Sequence, residues 1–429
     1  MKSKLPRQSD SFVLLELLEP RIAPAGVATA DWVTATEAGG AFVLEAGQGL
    51  ATASGGGGAK LLYVEAGQAL VFTTDLNGNN LVDMNEITGI AAGNGLRLIS
   101  FVDINGDIVT NLNSDGRTLT DSDGFSANGL DGRVVLDNRI ESIVLRSLVE
   151  GETENVLGSL AKSNYSIFGN IYAGGGLGSA ATPGLLIDTT GFALQSKFGQ
   201  LTLDAASPPV PMVGYIFTGS AVSGQQFSFG TSPSFGNDPG ESLRGSLADF
   251  IPAAGQAAGD VNGVRAIGDG GQAAPYLLGG VRTGDGGAGA RGGDISNVFS
   301  TGDIGGLFLR TGQGGDGDSG GRGGDITGLS ITASVNSRVE IFTGDGGFGL
   351  LGAAGRAGNV LFNGDIGVYG NILVGLGNGG GAVGNAGAGT SLTNGTFTNP
   401  GVGLQTPAEV VTTWRQPGDI GNYVYAGPD

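Results

Sequence analysis

Hydrophobic positions along this chain come in short runs, separated by clusters of Gly, Asn, Asp and Ser, which is the pattern of strands and turns. In the first third, Trp32–Thr36, Ala41–Glu45, Lys60–Glu65, Ala69–Thr73, Leu96–Asp103, Arg133–Leu136 and Ser142–Leu145 read as strands. Lys60–Glu65 is almost uninterruptedly apolar, which predicts burial on both faces. Together these runs predict a β-rich, sandwich-like head over residues 26–160. Two stretches carry helical spacing instead. Thr153–Ser163 would cap the segment beyond it, and Glu241–Phe250 is stopped by Pro252.

Beyond residue 160 the runs become periodic. A short apolar strand enters Thr-Gly and a glycine turn at Val281–Gly287, Leu309–Gly315 and Ile341–Gly347, with a degenerate copy at Ile372–Gly375. Successive copies are 28, 32 and 31 residues apart. A second marker, Gly-Asp-Ile, recurs at Gly293 and Gly324, 31 apart, and again at Gly302 and Gly364. Ile171–Gly176 and Ile216–Gly219 read as earlier, diverged copies. A fixed period of this size is the mark of stacked repeats. The fold class expected is therefore all-β, with a glycine-rich parallel β-helix, or solenoid, over residues 161–400 behind the head. At one strand spacing per coil, about seven or eight coils make a rod of roughly 35–40 Å. Leu307, Leu309, Val339 and Ile341 would point inward, and Phe308 and Phe342 outward. Residues 401–429, with Trp414, Tyr423 and Tyr425, form a terminal cap or a partner-binding end.

Composition changes this picture only at the margins. Glycine supplies 86 of 429 residues, yet 40% of the chain is hydrophobic and only 14% charged. That balance favours a packed chain over a disordered one. The 15 prolines and the irregular glycine spacing exclude collagen. A net charge of −19 argues against nucleic acid and anionic membranes as partners. It suits hard cations such as calcium. With no Cys and no His, thiol chemistry, imidazole catalysis and the usual zinc sites are removed. No apolar run reaches the ~20 residues that a transmembrane helix needs.

One stretch has the spacing of a metal loop. Counting Asp75 as position 1 places oxygen side chains at 1, 3, 5, 9 and 12: Asp75, Asn77, Asn79, Asp83 and Glu86. Leu81 at position 7 would offer its carbonyl, and Glu86 could chelate with both oxygens. Position 6 demands a left-handed backbone, and Asn80 stands there in place of the usual Gly. The loop resembles EF-hand and dockerin calcium loops, although a strand, Leu70–Thr73, precedes it where those have a helix. It implies a structural Ca2+. Asp103–Asp107 and Asn111–Gly116 begin similarly but lack the closing acid; with Asp121 and Asp123 they would form a weaker second cation site.

Near the N-terminus, Leu17–Ala25 contains Leu18-Glu19-Pro20-Arg21 after a basic opening with Lys2, Lys4 and Arg7. This resembles the Leu-Glu-Pro-Arg (LEPR-XLL) signature of large, repeat-rich bacterial proteins. Ala23-Pro24 stands where that pattern has Leu-Leu. The resemblance implies that residues 1–25 are a targeting segment and that the protein is exported to the cell surface or beyond.

The remaining motifs point away from catalysis. Gly284/286/289, Gly312/314/317 and Gly344/346/349 fit a dinucleotide fingerprint, but more glycine and another strand come next, and Asp285, Asp316 and Asp345 would repel a pyrophosphate. The run Gly314–Ser319 sets its Asp one position early for a glycine-aspartate calcium repeat. Asp294, Asp303, Asp325 and Asp365 recur as the acids of a carbohydrate-active β-helix would, but recurrence fits a corner that binds backbone N–H groups. No Arg or Lys cluster stands out beside them. The sequence thus predicts a non-catalytic, calcium-stabilised surface or matrix protein, with a rod for adhesion or self-association and polysaccharide or cell-surface components as partners. The alternative is a polysaccharide lyase or hydrolase working through carboxylates.

Overall fold

The structure is a computed structural model describing residues 31–36, 39–52, 60–76, 78–82, 86–112, 134–135, 138–146, 165–188, 211–219, 250–251, 256–268, 276–300, 307–333, 338–351, 353–368, 371–377, 379, 392–393, 397–398 and 422–426. The expected targeting segment, both expected helices, the Ser207–Pro211 loop and Trp414 lie outside them, apart from Phe250 at the end of the second helix and Pro211 at the end of the loop. Among the described residues the chain is all-β, in one sheet of 13 strands, one of 11, and a parallel pair made by Val134–Val135 and Phe250–Ile251.

From Asp260 to Leu376 the chain alternates between the two large sheets. Asp260–Ile267, Ile295–Ser300, Ile326–Ala333 and Val360–Val368 belong to the first sheet; Leu277–Arg282, Leu307–Arg310, Arg338–Phe342 and Asn371–Leu376 belong to the second. Each pairs in parallel with the strand one repeat away in its own sheet. Antiparallel pairs lie at the N-terminal end, where Gln68–Thr73 pairs with Ala41–Glu45 on one side and Ile87–Ala92 on the other. At the other end Asn422–Ala426 adds an antiparallel strand, so part of the expected cap extends the second sheet.

Register shows why the repeat exists. Ile90, Ile108, Ile171, Ile216, Val281, Leu309, Ile341 and Val374 occupy one row across the second sheet. All but Val374, whose side chain is not described, are at most 1% exposed and share one core cluster. Facing them, Leu98, Ile143, Leu185, Val264 and Val298 form the matching row of the first sheet. Each such side chain contributes about 1.5–3 kcal/mol of burial. Strands spaced ~4.8 Å apart keep identical rows in contact, so the apolar pattern is copied from strand to strand.

The register corrects three expectations. The parallel part of the row begins at Ile90 and Ile108, inside the predicted head, rather than near residue 164. The degenerate copy is Val374-Gly-Leu-Gly377, two residues beyond the one expected, because Ile341 pairs with Val374. Between residues 164 and 400 the second sheet receives six described strands, starting at Ile171, Met212, Leu277, Leu307, Arg338 and Asn371, where seven or eight coils were expected. The interval from Ile216 to Val281 is 65 residues, so a uniform period overcounts. Lys60–Ala66 buries Leu61, Leu62 and Val64, while Tyr63 is only half-buried. Phe308 and Phe342 are likewise half-buried, their rings 5.8 Å apart on neighbouring strands.

The glycine runs form a lobe beside the sheets with almost no side chains inside it. Each run leaves the second sheet, turns, and comes back to the first. Its two limbs are joined by Gly293 N–H to Gly284 O (3.0 Å), Gly324 N–H to Gly312 O (2.9 Å) and Gly358 N–H to Gly344 O (3.0 Å). Successive runs are tied by Gly286 N–H to Gln313 O and Gly314 N–H to Asp345 O, both 2.8 Å. Backbones lie so close that a Cβ on Gly312 would overlap the Gly284 carbonyl, and one on Gly344 the Gly312 carbonyl. This close approach, with its closed backbone hydrogen bonds, is why a chain that is one-fifth glycine has an ordered interior here.

Candidate functional site

The candidate metal loop joins two antiparallel strands of the second sheet, Gln68–Thr73 and Ile87–Ala92. Thr74 N–H donates to the Glu86 carbonyl at 3.0 Å and closes its base. The Asp75 carboxylate organises the first half: Oδ1 accepts from Gly78 N (2.7 Å) and Asn79 N (3.1 Å), and Oδ2 from Asn80 N (2.9 Å). Asn79 Oδ1 accepts from Leu81 N at 2.7 Å. Asn80 is left-handed, with φ of 58°, as position 6 requires. Val82 is fully buried in the core and pins the loop's second half. Glu86 is fully buried, and its Oε1 accepts from Leu76 N at 2.9 Å, which brings position 12 beside position 1.

The described ligand candidates are therefore Asp75, Asn79, Leu81 and Glu86; Asn77 and Asp83 lie outside the described residues. Among the described residues no three acidic side chains converge on one point. The loop nevertheless fits a hard cation: a carboxylate wrapped by backbone N–H groups, a left-handed sixth residue, and a carboxylate held inside the protein at the twelfth. A buried carboxylate is costly unless charge or hydrogen bonds compensate it.

The expected second cation site resolves differently. Asp103 Oδ1 accepts from Ser166 N (2.9 Å) and Asp107 Oδ1 from Asn170 N (2.7 Å), each about 63 residues along the chain. Ser166 and Asn170 in turn accept from Met212 N and Tyr215 N. These acids are steps in ladders that cap the backbone of the next strand. Asp121 and Asp123 lie outside the described residues.

Two more ladders account for the repeat markers. In the Thr-Gly marker, Thr311 Oγ1 donates to Gly324 O (2.6 Å) and accepts from Gly344 N (2.9 Å). Thr283 donates to Gly293 O (2.6 Å) and accepts from Gly312 N (3.1 Å). One hydroxyl thus ties the two limbs of its own repeat and the strand of the next. Both threonines are buried. Thr218 plays the same part earlier, while Thr110, in the predicted head, makes both of its bonds to the next strand, donating to Tyr172 O and accepting from Gly174 N.

In the Gly-Asp-Ile marker, Asp294 Oδ1 accepts from Asp325 N (2.7 Å), while Arg322 grips both Asp294 oxygens at 3.0 and 2.7 Å. Arg291 holds Asp260 in the same two-pronged way, both bonds 2.5 Å, and Arg356 holds Asp325 at 3.1 and 2.9 Å. Arg291 and Arg322 also reach the Asp three residues on in their own repeat. The result is an alternating column: Asp260, Arg291, Asp294, Arg322, Asp325, Arg356. Hydrogen bonding to Asp260 raises the Arg291 pKa against the effect of burial. For Asp325, burial pushes the pKa up, but hydrogen bonds from Arg356 and Asn359 N–H and the two arginine charges leave it below the ordinary carboxylate value.

Sequence reasoning anticipated backbone capping by these aspartates and missed their arginines. The signal was present: Arg291-Gly-Gly-Asp, Arg322-Gly-Gly-Asp and Arg356-Ala-Gly-Asn share one spacing. Asp365 is not a member, because Ile326 pairs with Val360 and so places Asn359 in the column. Asp303 lies outside the described residues.

Asp294→Asn should cost about 2 kcal/mol, since two charge-assisted arginine contacts are weakened together. Denaturant unfolding checks it, against Asp316→Asn, which gives up only a surface cap to Phe348 N. Because the Asp325 pKa is lower folded than unfolded, its contribution is complete above the unfolded value of about 3.9 and is lost as pH falls further, through the folded value. Thermal melts from pH 5 to 2 should therefore fall less steeply for Asp325→Asn than for wild type.

No family model, curated protein or solved structure matches this chain.

Proposed function

We propose that this protein is a non-catalytic, exported scaffold of the bacterial surface or matrix, a calcium-stabilised β-helical rod that presents long regular faces for adhesion or self-association. The observation that supports it best is where the recurring acids are spent. Asp260, Asp294 and Asp325 are each gripped by an arginine and cap a backbone N–H, so the column is a fastener between repeats. A carboxylate acting as general acid or base needs a proton it can exchange and room for substrate; a two-pronged arginine denies both. The β-helix reading is supported by the alternation from Asp260 to Leu376 between two sheets whose strands there pair in parallel, and by a shared core row. Among the described residues no helix is long and apolar enough to cross a membrane. Export rests on the Leu18–Arg21 resemblance, and calcium on the Asp75–Glu86 loop.

Expression of the full chain and of a chain lacking residues 1–25, in a bacterium that carries such signatures, tests the assignment. The full chain should be accessible to protease added outside intact cells, and the shortened chain should remain inside. Turnover of an acidic polysaccharide that a single Asp substitution abolishes would replace the scaffold with an enzyme.

A further inference from the structure

The outward face of the second sheet carries a strip of a different character from the rest of this acidic protein. Core residues Val281, Leu309 and Ile341 alternate with neighbours that point the other way. One row on this side runs from Tyr172 and Phe217, both buried in a second apolar cluster, to Arg282, Arg310 and Phe342 on successive strands. The adjacent row runs Tyr215, Gly280, Phe308, Glu340. Tyr172 and Phe217 stack at 5.3 Å, Tyr215 and Phe217 lie 5.8 Å apart, and Phe308 and Phe342 5.8 Å apart. Gly280 carries no side chain of its own, and Tyr215 and Phe308 close over it.

Arg282 and Arg310 are direct register partners, which sets two like charges on adjacent strands. Arg310 is exposed and makes no ion pair among the described residues; Arg282 is half-buried, with Asp285 the acid that favours its charge. Burial and then the Arg310 charge lower the Arg282 pKa, as expected of a cation pair. One acid, Glu340, sits at the edge of the strip and, after burial itself, helps push the Tyr215 phenol up to about 12. The Arg310 charge disfavours that of Arg282, so an anion reaching both is attracted to the pair.

We propose that this face binds an anionic polysaccharide, with Arg282 and Arg310 taking its carboxylates and Tyr215, Phe308 and Phe342 packing against its sugar rings. Guanidinium forks match carboxylates in two-pronged geometry. Half-buried aromatic rings offer apolar faces while remaining reachable. Rows repeating at the ~4.8 Å strand spacing suit a ligand that is itself a regular repeat. Binding at this face does not depend on calcium at the Asp75–Glu86 loop.

Calorimetric titration of the full chain with short oligogalacturonate tests it, with neutral dextran and polyglutamate as comparison ligands. Wild type should bind oligogalacturonate, more weakly at high salt, and should ignore dextran. Arg310→Ala should weaken binding about tenfold, the worth of one charge-assisted contact. Arg310→Glu should abolish it, and Arg97→Ala, in the other sheet, should leave it unchanged. Arg310 is exposed, so matched melting temperatures will show that these variants fold. Phe308→Leu, which keeps the apolar bulk, should weaken binding while leaving the salt dependence intact. Absence of oligogalacturonate binding, an unchanged Arg310→Ala, or equal binding of polyglutamate would overturn the proposal, the last by reducing the site to unspecific charge.

Discussion

Replacing Gly312 by alanine should destabilise the protein by about 3 kcal/mol, the upper end of the usual cost of overpacking. The added methyl falls on the Gly284 carbonyl, and the obstacle is backbone, so no rotamer change relieves it. Moving aside would break Gly312 N–H to the Thr283 hydroxyl and Gly324 N–H to Gly312 O together. Gly344→Ala should behave alike, because its methyl would meet the Gly312 carbonyl one repeat on. Leu351→Ala is the control: Leu351 is 86% exposed at the tip of the lobe, and its loss should stay within about 0.5 kcal/mol. Chemical denaturation of the three variants decides the matter. Equal stability of Gly312→Ala and Leu351→Ala would mean that the glycine lattice does not govern stability.

Calcium at a hundredfold excess over its dissociation constant should stabilise the protein by about 2.7 kcal/mol, the linkage value for a single site. The ligands would be Asp75, Asn77, Asn79, Asp83 and Glu86 with the Leu81 carbonyl, and binding would fasten the hairpin between Gln68–Thr73 and Ile87–Ala92. Glu86→Gln should remove most of the calcium-dependent rise in melting temperature, because it replaces a two-oxygen anionic ligand with a neutral one. Asp75→Asn should weaken it too, but that change also disturbs three N–H contacts and lowers stability without calcium. Glu86→Gln is therefore the cleaner variant, and magnesium the control ion, since its octahedral preference fits such loops poorly. A melting temperature indifferent to calcium in wild type would remove the metal from the protein.

Much of the strand content was legible in the residues. Ala41–Glu45 was read with its observed bounds, and Lys60, Leu96 and the Thr-Gly strands lie where the apolar runs put them. Gln48–Thr52 and Ile87–Ala92 were overlooked because small residues, Gly49, Ala51, Gly89, Ala91 and Ala92, weaken their alternation. The left-handed Asn80 was foreseeable, since loop position 6 asks for it whatever surrounds the loop. The Asp–Arg column was not read. The recurring Arg-Gly-Gly-Asp spacing puts each arginine beside one acid of its own repeat, but the acid it grips with two prongs lies about 31 residues earlier and is identified only by the register.

Local pattern alone determined that this chain makes short strands, that glycine turns join them, and that Asp75–Glu86 has the spacing of a cation loop. Those features depend on side-chain alternation, backbone freedom and ligand order, all carried by consecutive residues. Only the tertiary structure decided which repeats are neighbours, that the parallel row begins at Ile90, and that the fourth copy is at Val374. It alone set Arg282 against Arg310 and Arg322 against Asp294. The reason is physical: strand pairing fixes partners by the buried row they share, and those partners can lie 28 or 65 residues apart in the chain without moving that row.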